Sequence, residues 1–160
     1  MSESSARSIL FICMGNICRS PMAEGVFLHK LRERDLLDDF EVDSAGTGGW
    51  HAGDPPDHRS VRTAREKGIH LPSTARQVTA GDFERFDLLV CMDRENAANL
   101  ERMGCPPERI RQLMAYHPEA SHDEVPDPYY GHDDGFELMH ALIDGAVDRF
   151  LARLRPDAGG

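Results

Sequence analysis

An α/β fold built on a parallel sheet is what this chain predicts, and three observations carry the prediction. Apolar runs of strand length alternate with segments of helical periodicity from end to end. The runs at 8–12 and 86–92 are nearly unbroken, as in strands buried on both faces. The connections are long enough to be crossovers, which such strands require. Ligands of these sheets bind beyond the carboxyl ends of the strands.

The first strand is Ser8–Ile12. A helix is predicted over 20–34, with Ala23, Val26, Phe27 and Leu31 on one face. Pro21 suits its first turn, and Glu24 is an acid that complements the helix dipole. Residues 40–45 alternate as a short strand that stops at Gly46. A Gly/Pro-rich loop follows to Pro56 and holds the one tryptophan, Trp50. A helix is expected over 58–67, then loop or turns over 71–82. The strand at 86–92 leads to Asp93, an N-cap for a helix ending near Met103. Ile110–Met114 reads as a short strand and 116–134 as a polar loop. The last helix, 134–155, carries a wide stripe of Phe136, Met139, Leu142, Ile143, Ala146, Val147, Phe150 and Leu154.

Length and charge bound the rest. The chain has 160 residues, expected to form one domain over 8–156 between flexible tails at 1–7 and 157–160. Its formal net charge is −10, from 28 acids against 18 bases, which argues against nucleic acid or an anionic membrane as partner. No apolar run approaches the roughly 20 residues that span a bilayer. Cys13, Cys18, Cys91 and Cys105 form no paired framework, which suits a reducing, cytoplasmic setting.

The chemistry concentrates where strand one ends, in Cys13-Met14-Gly15-Asn16-Ile17-Cys18-Arg19-Ser20-Pro21. A strand, a tight loop and a helix N-terminus aim peptide N–H groups at one point and bind an anion. Gly15 and Asn16 tolerate left-handed backbone angles. Cys13 supplies a nucleophile, and Arg19 a planar fork for two phosphate oxygens. Ser20 is either an N-cap or a donor to the Cys13 sulfur. Thiolate attack on phosphorus needs a proton donor for the leaving oxygen, and Asp127-Pro128-Tyr129-Tyr130 offers Asp127. Ile17, Trp50, Tyr129 and Tyr130 suit the walls of a crevice for a flat phosphoaryl group, with His51 tuning substrate choice. His117, His122, His132, Asp133 and Asp134 match no zinc spacing, so no metal and no cofactor is expected. Asp57 and Arg59 read as ion-pair partners.

These residues, together with Asp43-Ser44-Ala45-Gly46-Thr47, Ala75-Arg76-Gln77 and Cys91-Met92-Asp93, resemble the low-molecular-weight protein tyrosine phosphatases over nearly the whole chain. The resemblance implies a doubly wound, four-stranded parallel sheet with helices on both faces and the phosphate-binding loop after strand one. It implies phosphotyrosine protein or peptide substrates, and a phosphocysteine on Cys13. Arg19 would bind phosphate, and Asp127 would serve as general acid and then base. Asn16, Ser20 and Ser44 would hold the loop in shape, and Cys18 would form a reversible disulfide with Cys13. Related phosphoarginine enzymes carry threonine where Ile17 stands, so Ile17 points to tyrosine. Phosphate and vanadate are the expected inhibitors, and a monomer is expected. One position departs from the pattern: Ser73 stands where many members have a loop-supporting histidine, with His70 nearby. Two rivals remain at this stage. Arsenate reductase shares the loop but needs further thiols as a relay, and a non-catalytic phosphoprotein-binding module would not need Asp127.

Overall fold

A computed structural model describes residues 3–129, 131 and 133–156; Tyr130, His132 and the 157–160 tail lie outside the described residues. Four strands, β1 (Ser8–Cys13), β2 (Glu41–Gly46), β3 (Leu88–Cys91) and β4 (Ile110–Gln112), form one parallel sheet in the order β2-β1-β3-β4. β1 pairs with β2 over its full length and with β3 on its other edge. Among the described residues four helices lie between successive strands, α1 (Arg19–Glu33), α2 (His58–Glu66), α3 (Ala80–Arg85) and α4 (Arg94–Arg102), and α5 (Asp133–Leu154) follows β4.

The strand pleat sorts the core into two layers. Ile9 and Phe11 of β1 join a cluster with Phe27 of α1, Ala64 of α2 and Phe150 of α5. Leu10 and Ile12 join the opposite cluster, with Phe83 of α3 and Leu100 of α4. The sheet is therefore doubly wound, as expected. β1 lies inside the sheet and is buried throughout, so its last residue, Cys13, emerges from the most constrained part of the molecule. No described helix is long and apolar enough to cross a membrane.

Three elements differ from expectation. β4 stops at Gln112, and Leu113–Tyr116 forms a 3₁₀ turn where the strand was expected to run to Met114. Residues 80–85 form a helix where loop was expected; a single turn and a half is too short to display periodicity, and its signal is a capping box between Thr79 and Asp82. Residues 3–7 are docked instead of forming a free tail. Glu3–Ser5 make a 3₁₀ turn, Ala6 is buried, Glu3 bonds the Tyr116 hydroxyl and Arg153, and Arg7 N–H donates to Asp87 at 2.7 Å.

Candidate active site

The loop from Cys13 to Arg19 is held from outside by its carbonyls. Cys13 O, Met14 O and Ile17 O accept from the N–H groups of Thr47 (2.9 Å), Gly48 (2.9 Å) and Asp57 (2.8 Å). Carbonyls tied outward leave peptide N–H groups free to face the centre, and Asn16 N–H lies 3.3 Å from Cys13 Sγ. Of the two residues expected to tolerate left-handed angles, Asn16 adopts them, with φ 57°. Gly46, at the end of β2, is needed for a different reason: a Cβ there would sit 2.6 Å from Met14 O.

Below the loop a hydrogen-bond chain leads from the Arg76 backbone to Cys13. Arg76 N–H donates to Asn16 Oδ1 at 3.0 Å, which fixes the amide orientation. The amide then donates to Ser20 Oγ (2.8 Å) and Ser44 Oγ (3.0 Å). Each serine keeps its own hydrogen. That of Ser44 goes to Glu24 Oε1 at 2.7 Å, and that of Ser20 is available to the Cys13 sulfur, 3.0 Å away. Toward a thiolate, which has no hydrogen of its own, Ser20 is the donor; the helix cap position falls at Cys18 instead.

Glu24, read above as a dipole-complementing acid, is 2% exposed and belongs to this chain. Ser73 also donates to it, at 2.7 Å. Burial, with Asp43 adding, pushes the Glu24 carboxyl above the usual range, against the pull of Ser73, Ser44 and Arg76. Ser73 therefore supports the loop through Glu24, while His70 is exposed and takes no such place.

Arg19 is 3% exposed at the head of α1. Its Nη1 donates to Asp93 Oδ2 at 2.6 Å and to Val125 O at 3.0 Å, and its Nη2 stands 3.7 Å from Asp127 Oδ2. Burial alone would loosen its proton, but the negative groups Cys13, Asp93 and Asp127 hold its pKa above the ordinary arginine value. Asp93 is the cap of α4, as expected, accepting from Asn96 N–H at 2.8 Å. Its second oxygen also anchors the arginine, a role the sequence reading missed.

A cleft above the loop is lined by Cys13, Met14, Gly15, Ile17, Cys18, Arg19, Trp50, His51, Asp127 and Tyr129. Trp50 is 65% exposed. The His51 ring lies 6.0 Å from that of Tyr129 and bonds Asp54 at 3.2 Å. Asn16, Ser20 and Ser44 sit beneath the cleft, fully buried. Cys18 is buried, and desolvation, then the charges of Asp57, Cys13 and Asp127, pushes its thiol well above the usual range. Cys91 and Cys105 are free thiols packed into the opposite core cluster and do not line the cleft, so they offer no relay to Cys13.

A family model described as low molecular weight phosphotyrosine protein phosphatase matches residues 8–158. A phosphatase of that name from Mus musculus is 40% identical over 157 residues, covering 96% of this chain and 99% of the relative. A protein tyrosine phosphatase from Entamoeba histolytica, crystallised with Hepes in its active site, superposes with a TM-score of 0.90 at 32% identity, covering 94% of this chain and 98% of that one. YfkJ from Bacillus subtilis gives 0.89 at 38% identity, covering 96% and 97%. The match over residues 8–158, the full-length relatives and the superposition agree: the chain belongs to the low molecular weight phosphotyrosine protein phosphatase family.

Proposed function

We propose that this phosphatase hydrolyses protein phosphotyrosine, and aryl phosphates in general, in two displacements at Cys13. The phosphate dianion lies in the ring of loop amides against Arg19. The Cys13 thiolate attacks phosphorus, the S–P bond forms as the P–O(aryl) bond breaks, and Asp127 gives its proton to the departing phenol oxygen. Asp127, now a carboxylate, takes a proton from water as that water attacks phosphorus. The S–P bond breaks and the thiolate leaves, stabilised by the Ser20 hydroxyl. No metal or cofactor enters either step.

The observation that carries this reading is the placement of Asp127 Oδ2, 3.7 Å from Arg19 Nη2, over the cleft that Cys13 floors. The residues read as nucleophile, anion fork and proton donor all line that cleft. Ile17 and the aromatic walls favour an aryl group over phosphoarginine. Cys18 lines the same cleft, which supports a protective role: peroxide takes Cys13 to the sulfenic acid, Cys18 displaces water to form the disulfide, and a dithiol restores both. The high Cys18 thiol pKa leaves Cys13 as the nucleophile of the pair. The enzyme acts as a cytoplasmic monomer, inhibited by phosphate and vanadate.

Rates on matched phosphotyrosine, phosphoserine and phosphoarginine peptides test the proposal. Hydrolysis confined to phosphotyrosine is expected. Comparable rates on phosphoarginine, or none on any peptide, would contradict it.

A further inference from the structure

Asp127 stands between two tethers. On its N-terminal side, Val125 N–H donates to Met92 O at 2.8 Å, and Val125 O accepts from Arg19 at 3.0 Å. On its C-terminal side, Tyr129 N–H donates to Asp127 Oδ1 at 3.0 Å, and Tyr129 O accepts from Arg59 Nη2 at 3.0 Å. The first tether ends in the phosphate-binding arginine. The second ends in a residue that lines no part of the cleft.

Arg59 is itself aimed. Asp57, the N-cap of α2, accepts from the Arg59 backbone N–H (2.9 Å), from Nε (3.1 Å) and from Nη2 (3.0 Å). Burial would raise the Asp57 carboxyl, but the bonds from Arg59 bring it below the usual range. The guanidinium centre lies 4.6 Å from the Phe136 ring of α5 and 5.6 Å from the Tyr129 ring. Asp57 in turn donates its N–H to Ile17 O in the phosphate loop, at 2.8 Å. Three residues of chain therefore join the loop that holds the nucleophile to the loop that holds the acid.

We propose that Arg59 is a positioning residue for the proton-transfer step, setting where Asp127 stands above the bound phosphate through the Tyr129 carbonyl. This rests on Asp127 being the general acid. A donor must come within hydrogen-bond reach of the leaving oxygen, and a small displacement costs rate only where that oxygen needs the proton. Phenolate is a poor leaving group and needs it; p-nitrophenolate scarcely does. A merely structural Arg59 would affect both substrates alike.

The test compares kcat/KM for phenyl phosphate and p-nitrophenyl phosphate in the parent, Arg59→Met, Arg59→Lys and Asp127→Ala. Arg59→Met is expected to lose about tenfold more rate on phenyl phosphate than on the nitro substrate. Arg59→Lys should recover part of that difference, because an ammonium makes a single aimed bond where the fork makes several. Asp127→Ala should show the largest difference. If Asp127→Ala discriminates while Arg59→Met lowers both substrates equally, or neither, the role of Arg59 is overturned. If Asp127→Ala does not discriminate, the acid assignment itself falls. Should Arg59→Met fail to fold, Arg59→Lys decides by the same ratio: a selective loss supports the role and an equal loss overturns it.

Discussion

At the floor of the cleft, Asn16, Ser20, Ser44 and Glu24 are each at most 2% exposed, and their donors and acceptors are matched into one chain that ends on the Cys13 sulfur. Across the cleft, Asp127 is 37% exposed and sits in a loop tied at Val125 and Tyr129. Under the proposed mechanism the difference follows from what each side does. The nucleophile needs donors that are already in place when charge returns to sulfur, and buried, pre-aligned donors pay no reorganisation at that moment. The acid must be protonated in one step and ionised in the next, with phenol leaving and water arriving past it. Solvent access lets it exchange its proton.

Substitutions on the two sides should therefore fail differently. Cys13→Ser removes the nucleophile and should cut turnover of p-nitrophenyl phosphate by roughly 10⁴-fold or more; activity near the parent's would end the account. Asp127→Ala should slow phenyl phosphate kcat/KM by about 10²- to 10⁴-fold while the fold and vanadate inhibition persist; loss of vanadate binding would mean that the two sides are not separable. Ser20→Ala deletes a bond to a charged group worth about 1.5–3 kcal/mol. It should slow release of the thiolate by roughly 10- to 100-fold, seen as a burst of nitrophenol followed by a slow steady state.

The smallest effect is expected at Glu24. Its carboxyl titrates above the usual range in the folded protein, so the folded state holds that proton more tightly than the unfolded chain does. The stability this contributes is complete below the unfolded carboxyl pKa and disappears as pH rises through the raised folded value. Glu24→Gln cannot titrate. Tm measured from pH 4 upward should fall for the parent relative to Glu24→Gln by roughly a few degrees as that window is crossed. Parallel curves would show that Glu24 is ionised at no cost.

Much of this was legible before any coordinates. The two central strands, β1 and β3, announced themselves by nearly unbroken apolar runs and β2 by alternation, and the cysteine loop, Arg19 and Asp127 stood out by residue type, spacing and order. The supports were not. Glu24 and Ser73 lie 49 positions apart, and Glu24 and Ser44 lie 20 apart; the packing of α1 on β2 brings Ser44 to Glu24, and the segment between α2 and α3 brings Ser73. Asp93 was legible as a cap because capping is local. Its second oxygen reaches Arg19 from 74 residues away, and no local pattern records that. Arg59 was legible as a partner of Asp57, two residues earlier, and illegible as a tether of Tyr129, seventy residues later.

The most direct test is to catch the covalent intermediate. Asp127→Ala turning over p-nitrophenyl phosphate, whose leaving group needs little acid, lacks the base for the second displacement and should accumulate phosphoenzyme. Rapid acid quench and peptide mass spectrometry should find one phosphate on the peptide that contains Cys13, bound through sulfur. Phosphate on any other residue, or an unmodified Cys13 while nitrophenol is being released, would contradict the account.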